Sequence, residues 1–113
     1  MPEKAMRFNA GKAKLSLVLE GGVAIEGMAR VLEYGTKKYA RGNWRKDMVL
    51  EDIMDSMLRH QNAVMNGELI DPETGLPHAD HIFCNAMFLS YHYHRLNDER
   101  PLTTANGSSI IDS

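Results

Sequence analysis

The chain is poor in the residues that make several functions easy to assign. It carries one cysteine, Cys84, among 113 residues. That excludes an intrachain disulfide and any CxxC zinc site, and it fits a reducing cytoplasm. Aromatic residues make up 7%, and Trp44 is the single tryptophan. No long apolar run follows Met1-Pro2-Glu3-Lys4, so neither a signal peptide nor a membrane partner is expected. Charge of one sign is scarce too. The formal net charge is -2, which argues against a nucleic-acid partner held through its backbone phosphates. Gly11-Lys12 lacks the spacing of a P-loop, and neither GxSxG nor HExxH occurs.

What remains is an ordinary globular composition, 43% hydrophobic and 25% charged, at a length that suits one domain. Residues 1–98 are expected to form a single helical domain and 99–113 a mobile tail. Residues 1–14 read as an extended polar arm. Leu15 to Leu19 is a short apolar patch broken by Gly21-Gly22. Apolar spacing predicts a helix from Val23 to Tyr39, with a break or end near Gly35. Gly42-Asn43-Trp44 marks a turn. A second helix is predicted from about Leu50 to Asn66, burying Ile53, Met54, Met57, Leu58, Val64 and Met65, with Asn66-Gly67 as its stop. A third begins after Pro77 and runs to about Asp98. The expected fold is all-α, a small helical bundle. Three helices make a thin core, so completion by homo-oligomerisation, as dimer or tetramer, is expected.

The densest chemistry lies between the second and third helices. From Glu68 through Asp71, Glu73, His78 and Asp80 to His81, acids and histidines crowd into one short stretch. Asp71-Pro72-Glu73-Thr74-Gly75 is a good turn sequence, which accounts for the proline and glycine but not for the titratable groups. His78, His81 and Asn85 follow at i, i+3 and i+7, so they line one helix face among apolar neighbours. Polar groups there need partners or a ligand. Asp80 reads as a first-turn acid, and His92 and His94 as structural residues near a helix C-terminus. On the second helix Asp52 and Asp55 share a face, a pairing that suits a divalent cation, and Arg59 lies four residues beyond Asp55. Lys37, Lys38, Arg41, Arg45 and Lys46 surround Tyr39 and Trp44, a mixture suited to phosphate and to a stacked base. Arg7, Asn9 and Lys12 offer a second such set.

These pieces together resemble a known family. Arg7-Phe8-Asn9-Ala10-Gly11-Lys12 precedes Tyr34-Gly35-Thr36-Lys37-Lys38-Tyr39-Ala40 and Asn43-Trp44-Arg45-Lys46. Asp55-Ser56-Met57-Leu58-Arg59-His60 and Asp71-Pro72-Glu73-Thr74-Gly75-Leu76-Pro77-His78 follow, with His81 and Asn85 after them. Over about residues 7–95 the chain is similar to the largely phage-encoded dATP/dGTP diphosphohydrolases, relatives of the MazG-like all-α nucleoside triphosphate pyrophosphohydrolases. The resemblance implies metal-dependent hydrolysis of purine deoxynucleoside triphosphates to monophosphate and pyrophosphate, in a homo-oligomer in the host cytoplasm. MazG-type enzymes carry paired acids on two helices. Here Asp52 and Asp55 stand for the first pair, and His78 and His81 occupy the place of the second.

On that resemblance the expected catalytic residues are Asp55, His60, Glu73 and His81. The expected ligands of a divalent metal, Mg²⁺ or Mn²⁺, are Asp52, Asp55, Asp71, Glu73, His78 and His81. Lys12, Lys38 and Arg59 would contact phosphates, with Arg7 beside them, while Asn9, Asn43, Trp44 and Asn85 would contact base or sugar. The alternative is a protein that binds a nucleotide or cyclic-nucleotide signal without turnover.

Overall fold

The computed structural model describes residues 3–99. Three α-helices carry it: α1 Gly22–Gly35, α2 Leu50–Met65 and α3 His78–Glu99. Two 3₁₀ segments accompany them, Leu15–Gly21 ahead of α1 and Asn43–Arg45 between α1 and α2. Among the described residues there is no β-strand, only an isolated antiparallel bridge between Ile70 and Pro77. The fold is all-α. Among the described residues no helix is long and apolar enough to cross a membrane. Most of the tail expected over 99–113 lies outside the described residues, and Glu99 itself closes α3.

Helix ends follow local chemistry. α1 takes the break at Gly35: Thr36 caps the end through its backbone N–H, and its hydroxyl donates to the Glu33 carbonyl at 2.6 Å. The chain to Tyr39 is turn, held by N–H groups of Lys38 and Tyr39 donating to the Gly35 carbonyl. α2 ends in a Schellman motif. Gly67 N–H donates to the Val64 carbonyl and Glu68 N–H to the Ala63 carbonyl, both at 2.9 Å. That closure needs the left-handed φ of 88° that Gly67 adopts. Asp80 in the first turn of α3 agrees with the helix dipole, and Pro77 supplies the carbonyl that accepts the Asp80 and His81 N–H groups.

α3 is the central element and packs against both α2 and α1. The contact with α1 is close at Gly27. A Cβ there would collide with the Asp80 carboxylate, so a larger residue at this point forces that side chain to give way. Asp80 is therefore a packing residue as well as a first-turn acid. Against α2 the core is small: Ile53 is 1% exposed and Cys84 is fully buried. Burial pushes the Cys84 thiol up to about 12, which removes it as a nucleophile. Only Ile53 of the expected α2 stripe is buried, with Met57 and Val64 half-buried. Met54, Leu58 and Met65 are exposed, because among the described residues α2 packs mainly against α3.

His92 is fully buried. Its Nε2–H donates to the Trp44 carbonyl at 2.7 Å. The Trp44 ring stacks on Phe88 at 5.2 Å and meets Tyr91 edge-on at 4.8 Å. This aromatic group fastens the basic segment between α1 and α2 onto α3. The structural role expected of His92 comes from that anchorage, not from the helix dipole.

Gly27→Val is expected to lower stability by about 1–3 kcal/mol through overpacking against Asp80. Urea melts check it, and Asp80→Ala in the same chain should recover part of the loss, as a double-mutant cycle would show.

Candidate active site

The site begins with the backbone between α2 and α3. Asp71 N–H donates to the Leu76 carbonyl and His78 N–H to the Leu69 carbonyl, each at 2.9 Å. These bonds flank the Ile70–Pro77 bridge and pinch the loop shut. Inside the pinch Asp71 is fixed twice. Its carbonyl accepts the Gly75 N–H at 2.7 Å, and its Oδ1 accepts the Glu73 N–H at 2.9 Å in an Asx-turn. The Asp71 side chain is thereby delivered to the start of α3, where His78 and His81 stand one turn apart.

Three potential ligands converge there. His60 from α2, Asp71 from the loop and His81 from α3 each offer an atom within 4.8 Å of the other two. His81 Nε2 lies 3.5 Å from Asp71 Oδ2. The His60 and His81 rings stack at 4.5 Å with an interplanar angle of 3°. Thr74 Oγ1 lies 2.8 Å from His81 Nε2 and 3.4 Å from Asp71 Oδ2, and it accepts the Leu76 N–H at 3.2 Å. His78 is buried beside them with both ring nitrogens engaged: Nδ1 meets His60 Nδ1 and Nε2 meets Glu68 Oε1, each at 2.8 Å.

Burial sets the protonation of the group. It pushes the His60 imidazole below its ordinary value, and the neighbouring His81 and His78 add to this. Burial also lowers His81, against the opposing pull of the Asp71 carboxylate. For Asp71 burial acts upward, but the Glu73 N–H and the facing histidines outweigh it and hold the carboxyl below its usual range. At neutral pH the triad therefore presents two neutral imidazoles and one carboxylate. That donor set fits a divalent transition ion.

The triad opens onto a cleft of about 1750 Å³ between α2 and the segment that follows α1. This exceeds the roughly 300–1,000 Å³ of a drug-sized pocket, so it has room for a nucleotide with its phosphates. Lys38, Arg41 and Arg59 stand on its walls, and Asn43 and Trp44 lie on the side of the aromatic anchor. Lys38 Nζ is 3.7 Å from the exposed Glu73 carboxylate across the cleft.

Several expected residues are thus brought together: His60, Asp71, Glu73, His78 and His81 with Lys38, Asn43, Trp44 and Arg59. Others are not. Asp52 and Asp55 are exposed on α2 and do not line the cleft, so their shared helix face is not turned into it. Arg7, Asn9 and Lys12 stay exposed on the N-terminal arm, also outside the lining. Asn85 spends its side-chain amide on the His81 carbonyl at 2.9 Å. Thr74 had no role assigned from the sequence, and Glu68, read there as an oxygen donor to the metal, instead pairs with His78. The convergence of His60 with the loop depends on how α2 packs on α3, which residue spacing does not encode.

No solved structure matches the chain. A dATP/dGTP diphosphohydrolase of Salmonella phage PMBT28 is 38% identical over 84 residues, which are 74% of this chain and 28% of that protein. The chain thus spans little more than a quarter of this curated relative's length. The family model described as dATP/dGTP diphosphohydrolase, N-terminal, matches residues 2–100, and with the pinched loop and its histidines inside the matched region the chain belongs to that family.

Proposed function

We propose that the cleft binds a deoxynucleoside triphosphate, with purine bases preferred, and that a divalent metal assists its hydrolysis to monophosphate and pyrophosphate. The observation that carries this reading is the shared cleft: His60, Asp71 and His81 face the same space as Lys38, Arg41 and Arg59. The relative's name, dATP/dGTP diphosphohydrolase, supports the same substrate class.

A bound Mg²⁺ or Mn²⁺ would neutralise phosphate charge and activate water. The chain's own groups do the rest. The Glu73 N–H holds the Asp71 carboxylate facing the histidines. Lys38, Arg41 and Arg59 meet the phosphate oxygens with charge-assisted hydrogen bonds. In the free protein Lys38 is drawn toward Glu73, and phosphate replaces that exposed and weak pairing. Asn43 offers hydrogen bonds to a base, and the Trp44–Phe88 pair offers an aromatic surface beside it. Exposed Met54, Leu58 and Met65 on α2 support self-association, which would cover them.

Incubation with dGTP or dATP and Mn²⁺ should release pyrophosphate. Tight nucleotide binding without release would leave a nucleotide-binding module in its place. Asp71→Asn should abolish release, and full release in that variant would return the ligand role to Asp52 and Asp55. Arg59→Ala should raise KM by about tenfold or more, the loss of one charge-assisted contact.

Protons and metal compete for the same imidazole lone pairs. The histidine values lie below the ordinary 6.5, so Mn²⁺ affinity should hold through neutral pH and fall only as pH drops below that point. Calorimetric titrations at several pH values check this; an affinity already falling between pH 8 and 7 contradicts it. Light scattering should give at least twice the single-chain mass.

A further inference from the structure

We propose that the arm of one chain, residues 4–14, crosses into the cleft of a second copy, where Arg7 and Lys12 meet the phosphates of the nucleotide, so that each site is built from two chains. This rests on the reading of the cleft as a polyphosphate site and adds a second chain to it.

The arm has the chemistry of a binding element and nothing to bind in its own chain. Residues 3–20 are all exposed. Met6 is 78% and Phe8 77% exposed, and Leu15, Leu17, Val18 and Leu19 follow them into solvent. Large apolar side chains gathered in water mark an interaction surface. The arm is nonetheless shaped. Lys12 N–H donates to the Asn9 carbonyl at 3.1 Å, and Gly11 takes a φ of 80°, as the third position of a type II turn requires. The turn sets Asn9 and Lys12 side by side.

The cleft supplies two reasons for the arm to enter it. The first is charge. Its lining holds five acids and five bases, so it has no cation to spare. Arg45 already donates to the Tyr91 hydroxyl. A triphosphate brings several negative charges, and a divalent ion offsets only part of them. From Lys4 to Lys14 the arm carries four bases and no acid. The second reason is volume. About 1750 Å³ exceeds the roughly 300–1,000 Å³ that a drug-sized ligand fills, which leaves space for a stretch of chain beside a nucleotide.

Reach decides between the arm's own cleft and that of a partner. The cleft takes its α1 lining from residues between Ala29 and Gly35, toward the helix C-terminus. The arm joins α1 at the opposite end, through Leu15–Gly21. The 14 residues of α1 span about 20 Å. Lys12 stands three residues ahead of Leu15, so its backbone reaches about 10 Å from there. To enter its own cleft the arm would have to swing the whole 3₁₀ segment back along α1. A second copy removes that tether. Under two-fold symmetry the arm is used twice, so each apolar residue it buries counts twice toward the roughly 1,200 Å² that a specific interface needs.

The test uses the whole chain and reads binding without turnover. Light scattering should give at least a dimer. Arg7→Ala with Lys12→Ala should weaken dATP binding about tenfold or more by calorimetry, with helix content unchanged by circular dichroism. Lys38→Ala with Arg59→Ala spoils the cleft and leaves the arm intact. Co-expression of the two double variants should restore wild-type dATP affinity at about a quarter of the sites, those that join an intact cleft to an intact arm of the other chain. An arm that served its own cleft would restore none. Three results overturn the proposal: a monomeric mass, wild-type affinity in the arm variant, or no recovery in the mixed assembly. Recovery of binding without pyrophosphate release from dATP would sink the hydrolase reading and leave the shared site standing. Release by the wild-type chain with no recovery in the mixture would do the reverse.

Discussion

Two backbone hydrogen bonds across the base of the loop between α2 and α3 decide where this protein keeps its chemistry. With Asp71 tied to Leu76 and His78 tied to Leu69, the loop folds back on itself and not outward into solvent. Asp71 becomes a buried carboxylate at the start of α3, facing histidines from two helices. A buried carboxylate is costly unless its charge is met by hydrogen bonds or a counter-charge. The Glu73 N–H meets part of that need, and a cation held among His60, Asp71 and His81, as proposed, would meet the remainder. The pinch thus ties loop conformation to the electrostatics of the whole cleft.

The cleft has two chemically distinct walls. One carries Asp71 with His60 and His81; the other carries Lys38 and Arg41 from the segment after α1, and Arg59 stands beside His60 on α2. A ligand that suits both walls must be anionic toward the lysine and arginines and able to share a dication with the acid side. Polyphosphates have both properties. This division is the structural ground on which the proposed polyphosphate substrate rests.

Much of the fold was legible because its signals are local. Asn66-Gly67 announced the Schellman stop of α2, Pro77 announced the start of α3, and Gly35 the end of α1. Burial was less legible. The spacing of Met54, Leu58 and Met65 reveals an apolar face but not what covers it, and among the described residues nothing does. The loop histidines and Asp71 were visible as a crowd of titratable groups. That His60 would join Asp71 and His81, while Asp52 and Asp55 stayed outside the cleft, depends on the rotation of α2 against α3. The i, i+3 rule puts two acids on one side of a helix; it cannot say which way that side turns. Likewise the pairing of Glu68 with His78 spans ten residues and a folded loop, with no periodic trace.

The buried bond from His92 to the Trp44 carbonyl has a consequence for how a ligand is received. It holds the backbone of the cation-bearing segment, next to Asn43, against the longest helix in the protein. The conformational entropy of that stretch is surrendered when the chain folds, not when an anion arrives. A guest at this wall meets a preorganised surface and need not wait for a loop to close around it. Selectivity in such a receptor comes from the shape already present, and its speed from diffusion and electrostatic attraction.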